Sequence, residues 1–172
     1  MEFEDIINER YSVRHFSDKA IEQEKIDKIV EAGRIAPTAA NFQPQKIFVI
    51  NSEEGLKKIH KVCKMTYDAP LVLLVCADLD HSWKIRMDNE FDSADMDATI
   101  VGTYLMLEAW NLGIGSCWIR AFNSMDVSEE FDLPSNIKPM FILSLGYKAE
   151  DSAPNEKMHF NRKSIDEIVK YI

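Results

Sequence analysis

The sequence has too few cysteines, in the wrong places, for a disulfide framework or a zinc site. Cys63, Cys76 and Cys117 are an odd number, and none belongs to a CxxC pair. Two of them lie in the apolar runs LLVCAD and SCWI, where cysteine behaves as a small core hydrophobe. Such an unpaired set suits a reducing cytosol. Long hydrophobic runs are missing too: LVLLVCA falls well short of the roughly 20 residues that span a bilayer. The N-terminal MEFEDIINERYS is acidic and amphipathic, with no basic start or apolar core of a leader, so the expectation is a soluble, cytoplasmic protein. Positive charge is scarce. The 20 Lys and Arg against 29 Asp and Glu leave a formal charge of −9, which makes nucleic acid and anionic membrane poor partners. His15, His60, His81 and His159 show no metal spacing and read as surface or packing residues, so no metal is expected. Gly113 and Gly115 form only a GxG, and they follow a helical pattern instead of opening one, which argues against a dinucleotide-binding fingerprint.

What is present is an ordinary globular composition, 46% hydrophobic and 28% charged, with alternating helical and strand patterns. A short first helix ends near Glu9 or Arg10. A second runs from about Glu22 to Ala36 and stops before Pro37. KIFVI and LVLLVCAD read as strands, the second buried on both faces, with the helical EEGLKKIHKV between them. DSADMDATIVGTYLMLEAWNLG is a long helix, apolar over much of its circumference, that Asn111 and Gly113 bring to an end. The acids of SADMD suit the positive end of that helix. GSCWI, a short helix around EEF, KPMFILSLGY and an amphipathic SIDEIVKYI complete the chain. Helices covering a sheet, with no repeat or linker, give one α/β or α+β domain over residues 1–172.

Three segments carry candidate chemistry. In RYSVR, an extended or turning backbone points alternate residues the same way, so Arg10, Ser12 and Arg14 can converge. Two guanidinium forks and a hydroxyl suit a phosphate; taken alone, the motif reads first as two solvated arginines after a helix. In APTAANFQPQ, small residues between two prolines allow a flat ligand close to the backbone. Thr38, Asn41 and Gln43 there offer donors and acceptors, and the same residues also serve simply as a helix stop and loop. LGIGSCWIRAF is a helix cap leading into a core strand.

In order and spacing, these segments resemble the nitroreductase family of flavoenzymes. RYSVR resembles its RxSxR signature, APTAANFQPQKIFVI its APSxxNxQPWxFxV motif and LGIGSCWIRAF its LGLGxCWIxxF motif. SLGY followed by NRKSIDEIV resembles its C-terminal end. The resemblance implies an α+β fold with a mixed central sheet flanked by helices in three layers. It also implies a homodimer with exchanged terminal segments and FMN in clefts between subunits. By position, Arg10, Tyr11, Ser12 and Arg14 would hold the phosphate end with Arg162. Pro37, Thr38, Ala39, Asn41 and Gln43 would reach the flavin bound mainly by the other protomer. Trp118, Ile119, Arg120 and Ala121 would lie over the ring, with a backbone N–H near N5, and Lys61 or Lys64, the latter for preference, would approach the pyrimidine edge. Three departures stand out: Phe160 where a cation is usual, with Lys163 as a possible substitute, Gln45 where Trp is usual, and a short excursion, HSWKIRMDNEF, in the region that shapes the substrate mouth.

The implied activity is hydride transfer from NADH or NADPH through flavin N5 to a small organic acceptor such as a nitroaromatic or quinone. No catalytic side chain is required, because the cofactor supplies the chemistry. The competing readings are a flavin-binding redox sensor or carrier, a relative performing reductive dehalogenation or flavin destruction, and a structural module without flavin.

Overall fold

The structure, a computed structural model, describes residues 1–85 and 91–172; residues 86–90, within the HSWKIRMDNEF excursion, lie outside the described residues. Strand β2 (Leu71–Asp78) is buried along its whole length and forms the spine of the sheet. It pairs antiparallel with β1 (Gln45–Ile50) on one side and β4 (Ile137–Gly146) on the other, and β4 pairs antiparallel with β3 (Gly115–Ile119), giving the order β1-β2-β4-β3. The expected mixed sheet is therefore antiparallel between all its named strands. Its one parallel element among the described residues is the isolated bridge between Ser12 and Ser116. The register slips between Val75 and Cys76, which face Phe141 and Pro139. Proline, lacking an N–H, is tolerated inside a strand at such an irregularity.

Alternation along the strands feeds two cores. Leu71, Leu73, Val75, Phe141, Leu143 and Leu145 face one way, onto α2 (Gln23–Ile35) and α4 (Ala94–Asn111), through Ile26, Ile29, Ala98, Val101 and Leu105. Val72, Leu74, Cys76, Cys117, Ile119 and Ile142 face the other, onto Ile59 of α3 (Glu53–Val62) and Val127 of α5 (Ser124–Glu130). Three layers result, the α+β arrangement expected.

Helix α4 positions much of the rest. Gly102 lets Trp118 and Phe141 stack at 3.7 Å against its backbone, where a Cβ would come within 2.3 Å of the indole. At the helix end Gly113 adopts φ +77; its N–H reaches Trp110 O and the Ile114 N–H reaches Ala109 O. This double bond is a Schellman motif, and it requires a residue tolerant of positive φ. Helix α1 (Phe3–Glu9) packs near this end, where Ile6, Tyr11, Val13 and Trp110 form a small third cluster. The chain ends in two one-turn helices, α6 (Glu156–His159) and α7 (Ile165–Ile168), the latter closed by a Ser164–Glu167 capping box. The amphipathic tail is thus helical for only four residues, and residues 161–172 are exposed throughout. No helix among the described residues is long and apolar enough to cross a membrane.

Candidate functional site

The RYSVR segment lies alongside β3. The Val13 N–H donates to Ser116 O at 2.8 Å, and the backbone alternates as an extended chain must, with Tyr11 and Val13 buried. Arg10 and Ser12 are half-buried and Arg14 is exposed. Together with Arg162, Asn155, Met158 and His159 from the far end of the chain, Arg10, Tyr11, Ser12 and Arg14 line a cavity of about 90 Å³. Asn155 caps α6 by accepting from the Met158 N–H, and this turn holds Met158 and His159 in the cavity wall. The Tyr11 hydroxyl donates to Ser152 O at 3.0 Å, tying the two chain ends together. Its ring meets His159 edge-on at 6.1 Å. His159, read from the sequence as a surface or packing residue, therefore also lines the cavity; the signal was its place one helical turn before Arg162.

The electrostatics of this cavity are those of gathered cations. Burial, and then the nearby charge of Arg162, draw the Arg10 pKa below its ordinary value. Beneath them, burial raises the Cys117 thiol, and Arg14 and Arg10 pull against that rise. Arg14 donates to Ser12 O at 3.3 Å, and Arg162 donates to Met158 O and Asn161 O at 3.3 and 3.1 Å. Among the described residues none of the three arginines has a carboxylate partner. Phe160 is exposed, and Lys163 is not among the cavity residues.

The APTAANFQPQ segment is a tight loop containing a 3-10 turn at Ala39–Asn41. Ala40, Asn41 and Gln43 have φ of +47, +59 and +52, all left-handed and none glycine. The Gln43 N–H donates to Thr38 Oγ1 at 3.0 Å across the loop. The Ala39 N–H donates to Asp97 Oδ1 at 2.7 Å, fixing the loop to α4. Pro37, Asn41 and Gln43 are exposed and Thr38 and Ala39 half-buried. Asp97 was not foreseen beyond a helix N-terminal charge. Its spacing of four from Val101 and eight from Leu105 is the signal that it faces inward.

The remaining residues divide. Trp118 and Ile119 turn their side chains into the two cores, leaving their backbone and the exposed Arg120 and Ala121 at the strand end. Arg120 stacks over Phe122 at 5.4 Å. Lys61 sits 2.5 Å from Glu130 Oε2, whereas Lys64 has no ion-pair partner among the described residues. Both line a larger cavity of about 580 Å³ with His60, Thr66, Ser17 and Pro70. Gln45 opens β1 with its Oε1 buried and unpartnered among the described residues. The wall of the arginine cavity contains no residue of the 37–43 loop and not Lys64.

Comparison with known proteins gives this geometry its class. The nitroreductase family model matches residues 7–66 and 63–147, so the chain belongs to the nitroreductase family. The fold superposes on a nitroreductase family protein of Clostridium difficile 630 with a TM-score of 0.92, 40% identity and coverage of 99% of this chain and 98% of that one. A protein of Archaeoglobus fulgidus, provisionally named an NADH dehydrogenase/NAD(P)H nitroreductase, is 31% identical over 153 residues, 85% of each chain. An FMN reductase [NAD(P)H] of Bacillus subtilis (strain 168) is 28% identical over 169 residues, 88% of this chain and 68% of that one.

Proposed function

We propose that the protein is an FMN-dependent oxidoreductase, passing a hydride from NADH or NADPH to a small organic acceptor such as a nitroaromatic or quinone, as a homodimer with flavins between its subunits. The observation that carries this reading is the convergence of Arg10, Ser12, Arg14 and Arg162, from opposite ends of the chain, on one cavity. The donor set fits the group: guanidinium forks and a hydroxyl match phosphate oxygens, and the depressed Arg10 pKa marks a site that an anion would relieve. The FMN-reducing relative supports the same cofactor. When bound, the flavin supplies hydride chemistry at N5, and the protein supplies binding and orientation.

Each part of the chain then has a task. Arg10, Arg14 and Arg162 neutralise the phosphate, and Ser12 donates to it or to a neighbouring hydroxyl. The 37–43 loop presents Thr38, Asn41 and Gln43 to the flavin of the other protomer. Lys64, free of the pairing that occupies Lys61, approaches the pyrimidine edge, and the backbone at Trp118–Ala121 borders the ring. Dimerisation is supported by the exposed Met96 and Tyr104 of α4 and by the exposed apolar tail residues Ile165, Ile168, Val169, Tyr171 and Ile172. The three buried cysteines suit a reducing cytoplasm.

The deciding experiment is the visible spectrum of the purified protein before and after anaerobic NADH or NADPH. Flavin bands that bleach rapidly with one donor establish cofactor and donor together. A colourless protein that takes up no FMN overturns the reading, and bands that stay unbleached point to a sensor or carrier. Sedimentation tests the cleft: a monomer retaining tightly bound FMN contradicts it.

A further inference from the structure

We propose that Asp97 is a positioning residue that fastens two segments, the 37–43 loop and the stretch following β2, to the first turn of α4 as one wall; the inference rests on the reading of that loop as flavin-facing. Asp97 is 1% exposed. Its Oδ1 accepts the Ala39 N–H at 2.7 Å and its Oδ2 accepts the Ser93 hydroxyl at 2.7 Å. Ser93 Oγ in turn accepts the Trp83 N–H at 3.1 Å, and the Ser93 N–H donates to Trp83 O at 2.9 Å. An unbroken chain of hydrogen bonds therefore runs from Trp83 through Ser93 and Asp97 to Ala39.

A buried carboxylate is costly unless its oxygens are satisfied. Among the described residues no lysine or arginine pairs with Asp97, so the offset comes from these two donors and from the peptide dipoles at the start of an 18-residue helix. Stabilising the helix end alone requires no burial; Asp95, in the same turn, is exposed. The inward carboxylate instead spends one oxygen on a loop N–H 58 residues away. That loop needs an anchor. Left-handed conformations at Ala40, Asn41 and Gln43 persist only where the surroundings hold them. The other bonds of the loop are internal: Gln43 N–H to Thr38 Oγ1, Asn41 N–H to Thr38 O and Phe42 N–H to Ala39 O. Among the described residues, the bond to Asp97 is the only hydrogen bond joining residues 37–43 to the rest of the protein. Asp97 thus sets where Thr38, Asn41 and Gln43 stand, touching neither cofactor nor substrate itself.

The test compares the flavin-loaded protein with its Asp97→Leu and Asp97→Asn variants, reading the visible circular dichroism of the flavin and the kcat and KM for 1,4-benzoquinone. Asp97→Leu removes both acceptors while keeping the number of side-chain heavy atoms; the expected result is an altered flavin dichroism and a KM raised roughly tenfold, with a smaller change in kcat. Asp97→Asn keeps an acceptor for Ala39 and can donate to Ser93 Oγ, so it restores wild-type behaviour to within about twofold. An Asp97→Leu protein that loses thermal stability but keeps wild-type dichroism and KM overturns the proposal, because Asp97 is then only structural. Should that variant not fold, hydrogen exchange in the wild-type protein decides: Ala39, in an exposed loop, is expected to exchange at least roughly tenfold slower than an open amide, and an unprotected Ala39 overturns the proposal. A wild-type protein that takes up no FMN overturns the flavin reading instead, and the Ala39 exchange rate still reports on the anchor.

Discussion

In the cavity beside β3, Arg10, Arg14 and Arg162 bring three like charges together, and among the described residues the side-chain hydrogen bonds of Arg14 and Arg162 go only to backbone carbonyls. The loop from Pro37 to Gln43 is the reverse: the Asn41, Phe42 and Gln43 N–H groups find partners inside the loop, and the Ala39 N–H is locked onto a buried carboxylate outside it. The first region is electrostatically incomplete, and an anion would lower its energy. The second is conformationally strained and already held by bonds of its own and by Asp97. A ligand entering both would organise the arginines, whereas the loop would be shaped before the ligand arrives. The proposed site would thus draw affinity from the first region and geometry from the second.

Two measurements probe the ligand-dependent half. FMN at a hundredfold excess over its Kd should stabilise the protein by about 2.7 kcal/mol, seen as a thermal midpoint that climbs with FMN concentration. A midpoint indifferent to FMN breaks the comparison, since the arginines would then need no anion. Next in size, Arg14→Ala should weaken FMN binding by about 2 kcal/mol, the loss of a hydrogen bond to a charged group. Fluorescence titration measures this, and the midpoint of the flavin-free variant should be equal to or above that of the wild type because a repulsion is gone. Unchanged FMN affinity would remove Arg14 from the phosphate contact.

The same contrast explains what could be read in advance. The strands LVLLVCAD and GSCWI, helix α4 with its Gly113 stop, and the alternation in RYSVR follow from periodicity and residue chemistry, and all appear at the expected places. The loop shape does not follow. Positive φ is expected of glycine, and here it falls on Ala40 and Gln43, which carry no local sign of it. Arg162 was placed with Arg10 and Arg14 only by family resemblance; no pattern of spacing brings together residues from the two ends of a chain. The antiparallel pairing also escaped, because a strand that is apolar on both faces reads the same in parallel and antiparallel sheets. Asp97 was hidden by its company, being one of two acids in SADMD of which it alone is deeply buried.

Two smaller effects test the preformed half and the frame of the arginine cavity. Thr38→Val keeps the shape of the side chain and removes the acceptor for the Gln43 N–H, which should cost about 1 kcal/mol in thermal stability and lower FMN affinity less than Arg14→Ala does. If it instead weakened FMN binding as Arg14→Ala does while leaving stability intact, the two regions would not differ in kind.

The smallest effect concerns the clamp that frames the arginine cavity. Tyr147, just after β4, accepts the Ser17 N–H on its carbonyl at 2.9 Å, so it holds the chain shortly after Arg14 against the start of the tail that carries Arg162. Its hydroxyl donates to Glu22 Oε2 at 2.5 Å and accepts from Lys25 Nζ at 2.9 Å. The Tyr147 hydroxyl first, then a backbone N–H and Lys19, draw the Glu22 carboxyl from 4.5 to about 2. A pKa lower in the folded than in the unfolded chain means that the contribution is fully present above about pH 4.5 and fades as pH falls toward 2. Glu22→Gln should therefore flatten the acid limb of the thermal midpoint between pH 5 and pH 2, leaving a small constant offset above pH 5. Because Glu22 is solvent-exposed, the change should be slight and should shrink in high salt. An acid limb identical in both proteins would show that the clamp does not hold this carboxylate, and that the frame of the arginine cavity rests on other ties such as the Ser17–Tyr147 and His15–Ala149 backbone bonds.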